Sequence, residues 1–185
     1  MRGYMKLYAG TSGYSYKEWI GNFYPENIKP PEMLSYYAGR LRIVEINNTF
    51  YRMPKKEILE TWKSGTPENF LFSIKASQRI THRKLLSDVE EETHYLLENL
   101  KVLDKKLGAV LFQFPPWFKK NKERLSDFLD ILPGDLPAVF EFRDSSWYDD
   151  EIAGMLKQKG FIFCFSDMDE KEKPVIINTS SWGYL

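Results

Sequence analysis

A chain of 185 residues with 43% hydrophobic and 28% charged side chains is long and apolar enough to bury one domain's core, which excludes an intrinsically disordered chain. Its 26 Lys and Arg balance 26 Asp and Glu, so bulk attraction to nucleic acid or to an anionic membrane is excluded as a driving force. A single cysteine, Cys164, excludes an intrachain disulfide framework.

The expected elements alternate from strand to helix along the whole chain. Leu7-Tyr8-Ala9 reads as the first strand, broken by the turn residues Gly10 through Gly13. Pro30-Pro31 sets up a helix from Glu32 to Ala38, with Gly39 placed to end it. Ile43 to Asn47 is the second strand, and Pro54 opens a helix over Lys55 to Ser64 that stops at Gly65. Phe70 to Lys75 is the third strand. Ser87-Asp88-Val89-Glu90 has the form of a capping box. Val89, Leu96, Leu97, Leu100 and Leu103 then recur at helical spacing as one buried stripe, and Gly108 closes that unit. Ala109 to Phe114 is the fourth strand, stopped by Pro115-Pro116. Leu125, Phe128, Leu129 and Leu132 mark the next helix. Ala138 to Arg143 is the fifth strand, followed by a helix from Glu151 to Lys159 that ends at Gly160. Phe161 to Phe165 is the sixth, the charged stretch Asp167 to Lys173 reads as a solvated loop, and Trp182 to Leu185 looks like a seventh strand beginning.

Strands alternating with helices at this spacing imply an α/β fold with a parallel sheet. Several strands are almost wholly apolar, as strands covered on both faces must be. No Gly-x-Gly-x-x-Gly turn follows the first strand, which argues against a dinucleotide fold and leaves any cofactor unassigned. No apolar stretch approaches the about 18 residues of a membrane span. The N-terminus also lacks a signal peptide's apolar run, so a cytoplasmic location is the expectation.

The informative residues are polar groups embedded in apolar strands. Glu45 and Asn47 share one strand face, as do Ser73 and Lys75, and Glu141 and Arg143. A charge on a helix-packed face would cost several kcal/mol without a partner. These groups therefore belong on the other face, near the strand C-termini where barrel enzymes build their sites. Glu45, Lys75, Glu141, Arg143 and Asp167 are the candidate catalytic residues. Asn47, Gln113 and His82 are candidates for substrate binding, together with the aromatics Tyr14, Phe50 and Trp147 that follow strand ends. Cys164, within Phe161 to Phe165, reads as a packed thiol. Only His82 and His94 are present, too few for a His-rich zinc site, and no metal ligands are assigned.

The ordered segments Gly10-Thr11-Ser12-Gly13-Tyr14, Phe23-Tyr24-Pro25 and Glu45-Ile46-Asn47-Asn48-Thr49-Phe50-Tyr51 resemble the opening signatures of the YecE-like family, domain of unknown function 72. Lys75 with Ile80-Thr81-His82, Gln113-Phe114-Pro115-Pro116, and Glu141-Phe142-Arg143 with Ser146-Trp147 continue the resemblance over essentially the whole chain. It implies a (β/α)8, TIM-barrel-like fold with the shared polar residues at the C-terminal rim, and it carries no activity. It also implies a seventh strand with an Arg-x-His-Gly-like segment and an eighth unit with an Asn-Asn pair, neither of which precedes Leu185. The expectation is therefore a single domain, residues 1–185, forming an incomplete barrel of six to seven units. Exposed strand edges would then favour association with another chain.

Three functions fit these residues. The first is a hydrolase-like enzyme in which Glu45, Glu141 and Asp167 serve as general acid and base or hold one hard divalent cation, while Lys75 and Arg143 stabilise negative charge. The second is Schiff-base chemistry at Lys75. The third is a non-catalytic binder of single-stranded nucleic acid or carbohydrate through the rim aromatics. The ligand class stays open among these.

Overall fold

The computed structural model describes residues 6–52, 54–166 and 176–185. Six strands, β1 (Gly10–Ser12), β2 (Ile43–Ile46), β3 (Leu71–Lys75), β4 (Leu107–Gln113), β5 (Ala138–Glu141) and β6 (Ile162–Phe163), form one sheet in sequential order. Every pairing is parallel. The helices between them are α1 (Met33–Ala38), α2 (Asn48–Tyr51), α3 (Lys56–Ser64), α4 (Glu90–Leu100), α5 (Lys122–Ile131) and α6 (Asp150–Lys159).

Sequential order has a geometric consequence. Parallel crossovers are right-handed, so strands that always step in one direction place their helices on one face of the sheet. The buried apolar residues divide accordingly. Val44, Ile46, Phe72, Ile74, Val110, Phe112 and Phe140 join the apolar sides of α1, α3, α4, α5 and α6 in one large cluster. Ala109, Leu111, Val139, Ile162 and Cys164, which alternate with them, form a small second cluster on the other face. The helix-covered face is almost entirely aliphatic and aromatic; the opposite face is not.

That opposite face is concave. Cys164 N–H donates to Phe140 of β5 at 2.8 Å, and the next amide, Phe165 N–H, donates to the Tyr184 carbonyl at 3.0 Å. Successive amides point to opposite sides of a strand, so Tyr184 lies beyond β6, on the side away from β5. Its hydroxyl nonetheless reaches Glu45 of β2 and Ser73 of β3, at 2.7 and 2.8 Å. In a flat sheet those strands would lie about 20 Å away, at about 4.8 Å per strand, far beyond the reach of one tyrosine. The sheet must curl towards itself.

Most helix boundaries follow the sequence signals. Asn121 and Asp149 cap α5 and α6 by accepting from Arg124 N–H and Ile152 N–H at 3.0 and 2.9 Å. Gly160, with φ of 74°, ends α6 in the left-handed region that glycine tolerates. Four expectations need correction. The first strand is Gly10–Ser12 rather than residues 7–9, because the glycine expected to break it permits close strand approach instead. Ser87 and Glu90 form no capping box, since α4 starts at Glu90 after Val89 with no side-chain cap; the left-handed backbone at Leu85, Leu86 and Asp88 directs the chain away. Gly108 lies inside β4 rather than before it. Trp182 to Leu185 are not a strand: the Phe165–Tyr184 bond is the one backbone contact of that kind among the described residues. The charged stretch from Asp167 lies outside the described residues, in which no helix is long and apolar enough to cross a membrane.

Gly10 illustrates how tightly β1 is seated. A Cβ there would lie 2.1 Å from the Ile43 carbonyl oxygen and 2.7 Å from Ile43 Cγ2. Gly10→Ala must therefore push β1 off β2, and a destabilisation of about 1–3 kcal/mol is expected in equilibrium urea unfolding. An unchanged midpoint would contradict this strand spacing.

Candidate functional site

Strand register brings the polar residues onto the concave face in rows. Ser12 lies opposite Glu45, and Glu45 opposite Ser73. Lys75 lies opposite Leu111, and Gln113 opposite Glu141. Lys75, Gln113 and Glu141 are each the last residue of their strand, so this face opens at the C-terminal ends.

Glu45 ends two chains of hydrogen-bond donors. Asn47 Nδ2 donates to Ser12 Oγ at 2.6 Å, and Ser12 Oγ donates to Glu45 Oε1 at 2.7 Å. Tyr184 donates to Glu45 Oε2 at 2.7 Å, so its oxygen is left to accept from Ser73 at 2.8 Å. Burial and the Glu45 charge hold the Tyr184 phenol well above its ordinary range, so it remains a donor. Glu141, 7% exposed, accepts from Gln113 Nε2 at 2.6 Å and from Arg143 Nε at 3.1 Å. A buried carboxylate needs such partners, and this one has a cation among them.

Lys75 stands between these two groups. Burial lowers its pKa, and Arg143 lowers it further, while the charges of Glu45 and Glu141 oppose the shift. No carboxylate among the described residues comes within ion-pair distance of its Nζ, which lies 5.0 Å from the centre of the Phe50 ring. Phe50 also meets His82, edge to face at 4.8 Å. His82 is carried by a π-helical turn, Arg79–Arg83, which the left-handed Leu85 and Leu86 follow. Such strained backbone recurs at functional sites. Thr81, fully buried, pairs its hydroxyl with His82 Nδ1 at 2.8 Å and fixes the ring.

Burial, then Lys75 and Arg143, lower the His82 pKa from its ordinary 6.5. The unfolded chain therefore binds this proton more readily than the folded one. Stability from neutral His82 is complete above about pH 6.5 and declines as pH falls from there to the lower folded value. His82→Gln should flatten that segment of a urea-midpoint profile. An unaltered slope would mean that folding does not lower the His82 pKa.

Two aromatic candidates do not belong here. Trp147 is 0% exposed, stacked on Phe142 at 4.3 Å and 13°, with Nε1 donating to the Phe118 carbonyl at 2.6 Å. It is a core residue, because the turn Ser145–Trp147, capped by Asp144, folds it under the helices. Tyr14 is partly buried and packs against Tyr37, on the outside of the helix-side cluster. Both leave the candidate binding set; Phe50 stays. Asp167 lies outside the described residues. Cys164 lies on the concave face, but it is 4% exposed, and burial with the Glu141 and Glu45 charges pushes its thiol far up, so it packs rather than attacks.

Sequence reasoning missed Tyr184, Ser12 and Thr81 as members of this constellation. Ser12 stands opposite Glu45 and could have been found once β1 was placed correctly. Tyr184 is 139 positions from its partner, and no local pattern announces such a contact. Among the described residues, no three His, Cys, Asp or Glu side chains gather closely enough to hold a metal ion.

Parallel strands in sequential order, helices on one side and a polar concave face at the strand C-termini define a singly wound α/β protein with one candidate site. The family model described as "Protein of unknown function DUF72" matches residues 8–185, and the chain belongs to that family. It is 32% identical to the UPF0759 protein YunF of Bacillus subtilis, the match covering 87% of this chain and 60% of that protein. It is 27% identical to the UPF0759 protein YecE of Escherichia coli, covering 77% and 50%. A DUF72 family crystal structure from Thermotoga maritima aligns with a TM-score of 0.76 at 30% identity, over 96% of this chain and 72% of that one. Another, from Enterococcus faecalis, gives 0.74 at 26% identity, over 92% and 66%. The chain thus spans between half and two thirds of the curated relatives it matches.

Proposed function

We propose that the curled sheet is part of a (β/α)8, TIM-barrel-like enzyme that performs acid/base, hydrolase-like chemistry at its C-terminal rim. The observation that carries this reading is the pair of hydrogen-bonded carboxylates, Glu45 and Glu141, on one concave face with Lys75 between them. The barrel is supported by the sequential parallel order, the one-sided helices and the reach of Tyr184 across the concavity. In this reading Glu141 moves the proton at the reacting bond, with Arg143 and Gln113 fixing its orientation. Glu45, fed by two donor chains, serves as the second carboxylate. Lys75 stabilises the negative charge that develops when the bond breaks, and Asn47 supports Glu45 through Ser12.

The test is a panel of chromogenic phosphate esters, carboxylate esters and glycosides, run on the wild type and on Glu141→Gln. Turnover by the wild type, lost in Glu141→Gln with affinity retained, is the expected result. Equal turnover in both ends the reading. A second reading follows from the lowered pKa of Lys75, which raises the fraction of neutral amine available to attack a carbonyl. Borohydride with a set of aldehydes and ketones would then leave a reduced adduct on Lys75, and its absence removes that chemistry. Binding through a rim aromatic platform loses one support, since Trp147 is a core residue.

A further inference from the structure

We infer that the site binds the oxyanion of its ligand, a phosphate or carboxylate group, between Lys75, Arg143 and His82. This uses the same site as the acid/base reading but does not depend on its chemistry. It rests on counting donors and acceptors around the concave face. Each oxygen of Glu45 already accepts from a hydroxyl, Ser12 on one side and Tyr184 on the other. Each oxygen of Glu141 likewise accepts from Gln113 or Arg143. Among the described residues each carboxylate oxygen has a donor, whereas most of the cationic N–H groups have no acceptor.

Lys75 carries three N–H groups, and none finds an acceptor among the described residues. Instead the Nζ faces the Phe50 ring at 5.0 Å. Arg143 uses only Nε, on Glu141 at 3.1 Å, and its terminal nitrogens, four N–H groups in a fork, meet no acceptor among the described residues. His82 engages Nδ1 with Thr81, and its Nε2 has no partner among the described residues. A half-buried ammonium held away from both neighbouring carboxylates is an expense the fold would shed if the site served only stability. A ligand that engages these donors brings acceptors and negative charge, and it fits beside an aromatic ring. A neutral sugar hydroxyl supplies the first without the second. An oxyanion supplies both, and the guanidinium fork matches its geometry.

The same geometry gives the binding a proton signature. Lys75 and Arg143 depress the His82 pKa by repulsion, and an anion between them offsets that repulsion. Binding therefore raises the His82 pKa and takes up a fraction of a proton as the pH falls into the His82 range, while Glu45 and Glu141 on the facing strands repel the anion.

The experiment uses inorganic phosphate and acetate as separate probes, each against sodium chloride at matched ionic strength. It is read by thermal unfolding and by histidine titration in NMR. Phosphate without acetate identifies a phosphate-class ligand, and acetate without phosphate a carboxylate. Saturable stabilisation by either probe, weakened about tenfold or more in Lys75→Met and in Arg143→Met and accompanied by an upward shift of His82, is the expected result. Lys119→Met, at an exposed lysine paired with Asp144, should leave the binding intact. Phosphate also stabilises proteins generally by exclusion from their surface. A shift that never saturates, or that Lys75→Met retains, therefore overturns the inference. Lys75→Gln replaces Lys75→Met if the latter fails to fold, and phosphorus NMR line width then reports binding directly. Anion binding without turnover of any ester would sink the acid/base reading alone. Turnover of neutral esters with neither probe bound would sink this inference alone.

Discussion

Trp147→Ala should lower the free energy of unfolding by about 3–5 kcal/mol, the range for removing a large aromatic side chain from a packed interior. Three separate losses contribute. The indole lies face to face on Phe142 at 4.3 Å, with Phe118 at 5.2 Å and Phe114 at 6.4 Å, so the stack loses its terminal ring. These three rings follow the ends of β4 and β5, and they cannot collapse into the space left behind. The Phe118 carbonyl loses the 2.6 Å donor from Nε1 and stays buried without it. Trp147→Phe separates these effects: it keeps most of the stack and forfeits the hydrogen bond, leaving a loss of about 1–3 kcal/mol. Equilibrium urea unfolding of both variants reads the difference. If Trp147→Ala unfolded at the wild-type midpoint, the indole could not be where the fold places it, and a rim position for Trp147 would return.

That residue also marks the limit of what the chain reveals unaided. An aromatic a few positions beyond a strand looks the same in sequence whether it edges a pocket or turns back under a helix. The choice belongs to Asp144, whose carboxylate caps the turn by accepting from Ser146 N–H and whose pKa is drawn down to about 2 by Lys119 and by Ser146. Tyr14 was ambiguous for the same reason. The charged residues were legible because strands impose alternation. Val44, Ile46, Phe72 and Ile74 take the helix-covered face, so Glu45, Ser73 and Lys75 are left with the other. No packing choice can exchange those faces without burying the charges against helices. Tyr184 and the π-helical turn under His82 escaped notice because neither has a repeating pattern. One depends on how far the sheet curls, the other on a backbone path that Leu85 and Leu86 hold at positive φ. The misplaced first strand has a chemical origin too. Gly10 looked like a breaker, whereas its missing side chain is what lets β1 approach Ile43.

Glu141→Gln is the substitution expected to change chemistry most. If the carboxyl moves a proton in the rate-limiting step, an amide of the same shape should lower kcat by about 10²–10⁴-fold, the usual worth of a positioned acid or base. The difficulty is that Glu141 also holds Arg143 at 3.1 Å and Gln113 at 2.6 Å, so lost turnover could reflect displaced neighbours. The isostere limits that confusion: a Gln carbonyl can still accept from Arg143, while its amide faces the Gln113 amide, which must flip to present its own oxygen. Unfolding free energy should then change by about 1 kcal/mol, as for one altered hydrogen bond, against a rate effect several times larger in free energy. Gln113→Ala is the companion measurement. It removes the same contact while leaving the acid in place, so a positioning role predicts that the two variants lose similar amounts of kcat. A catalytic role predicts that Glu141→Gln loses far more, and that the pH dependence of kcat/KM on its carboxyl disappears with it. Retention of both the rate and the pH profile in Glu141→Gln would leave Glu141 as an interior ion pair and nothing else.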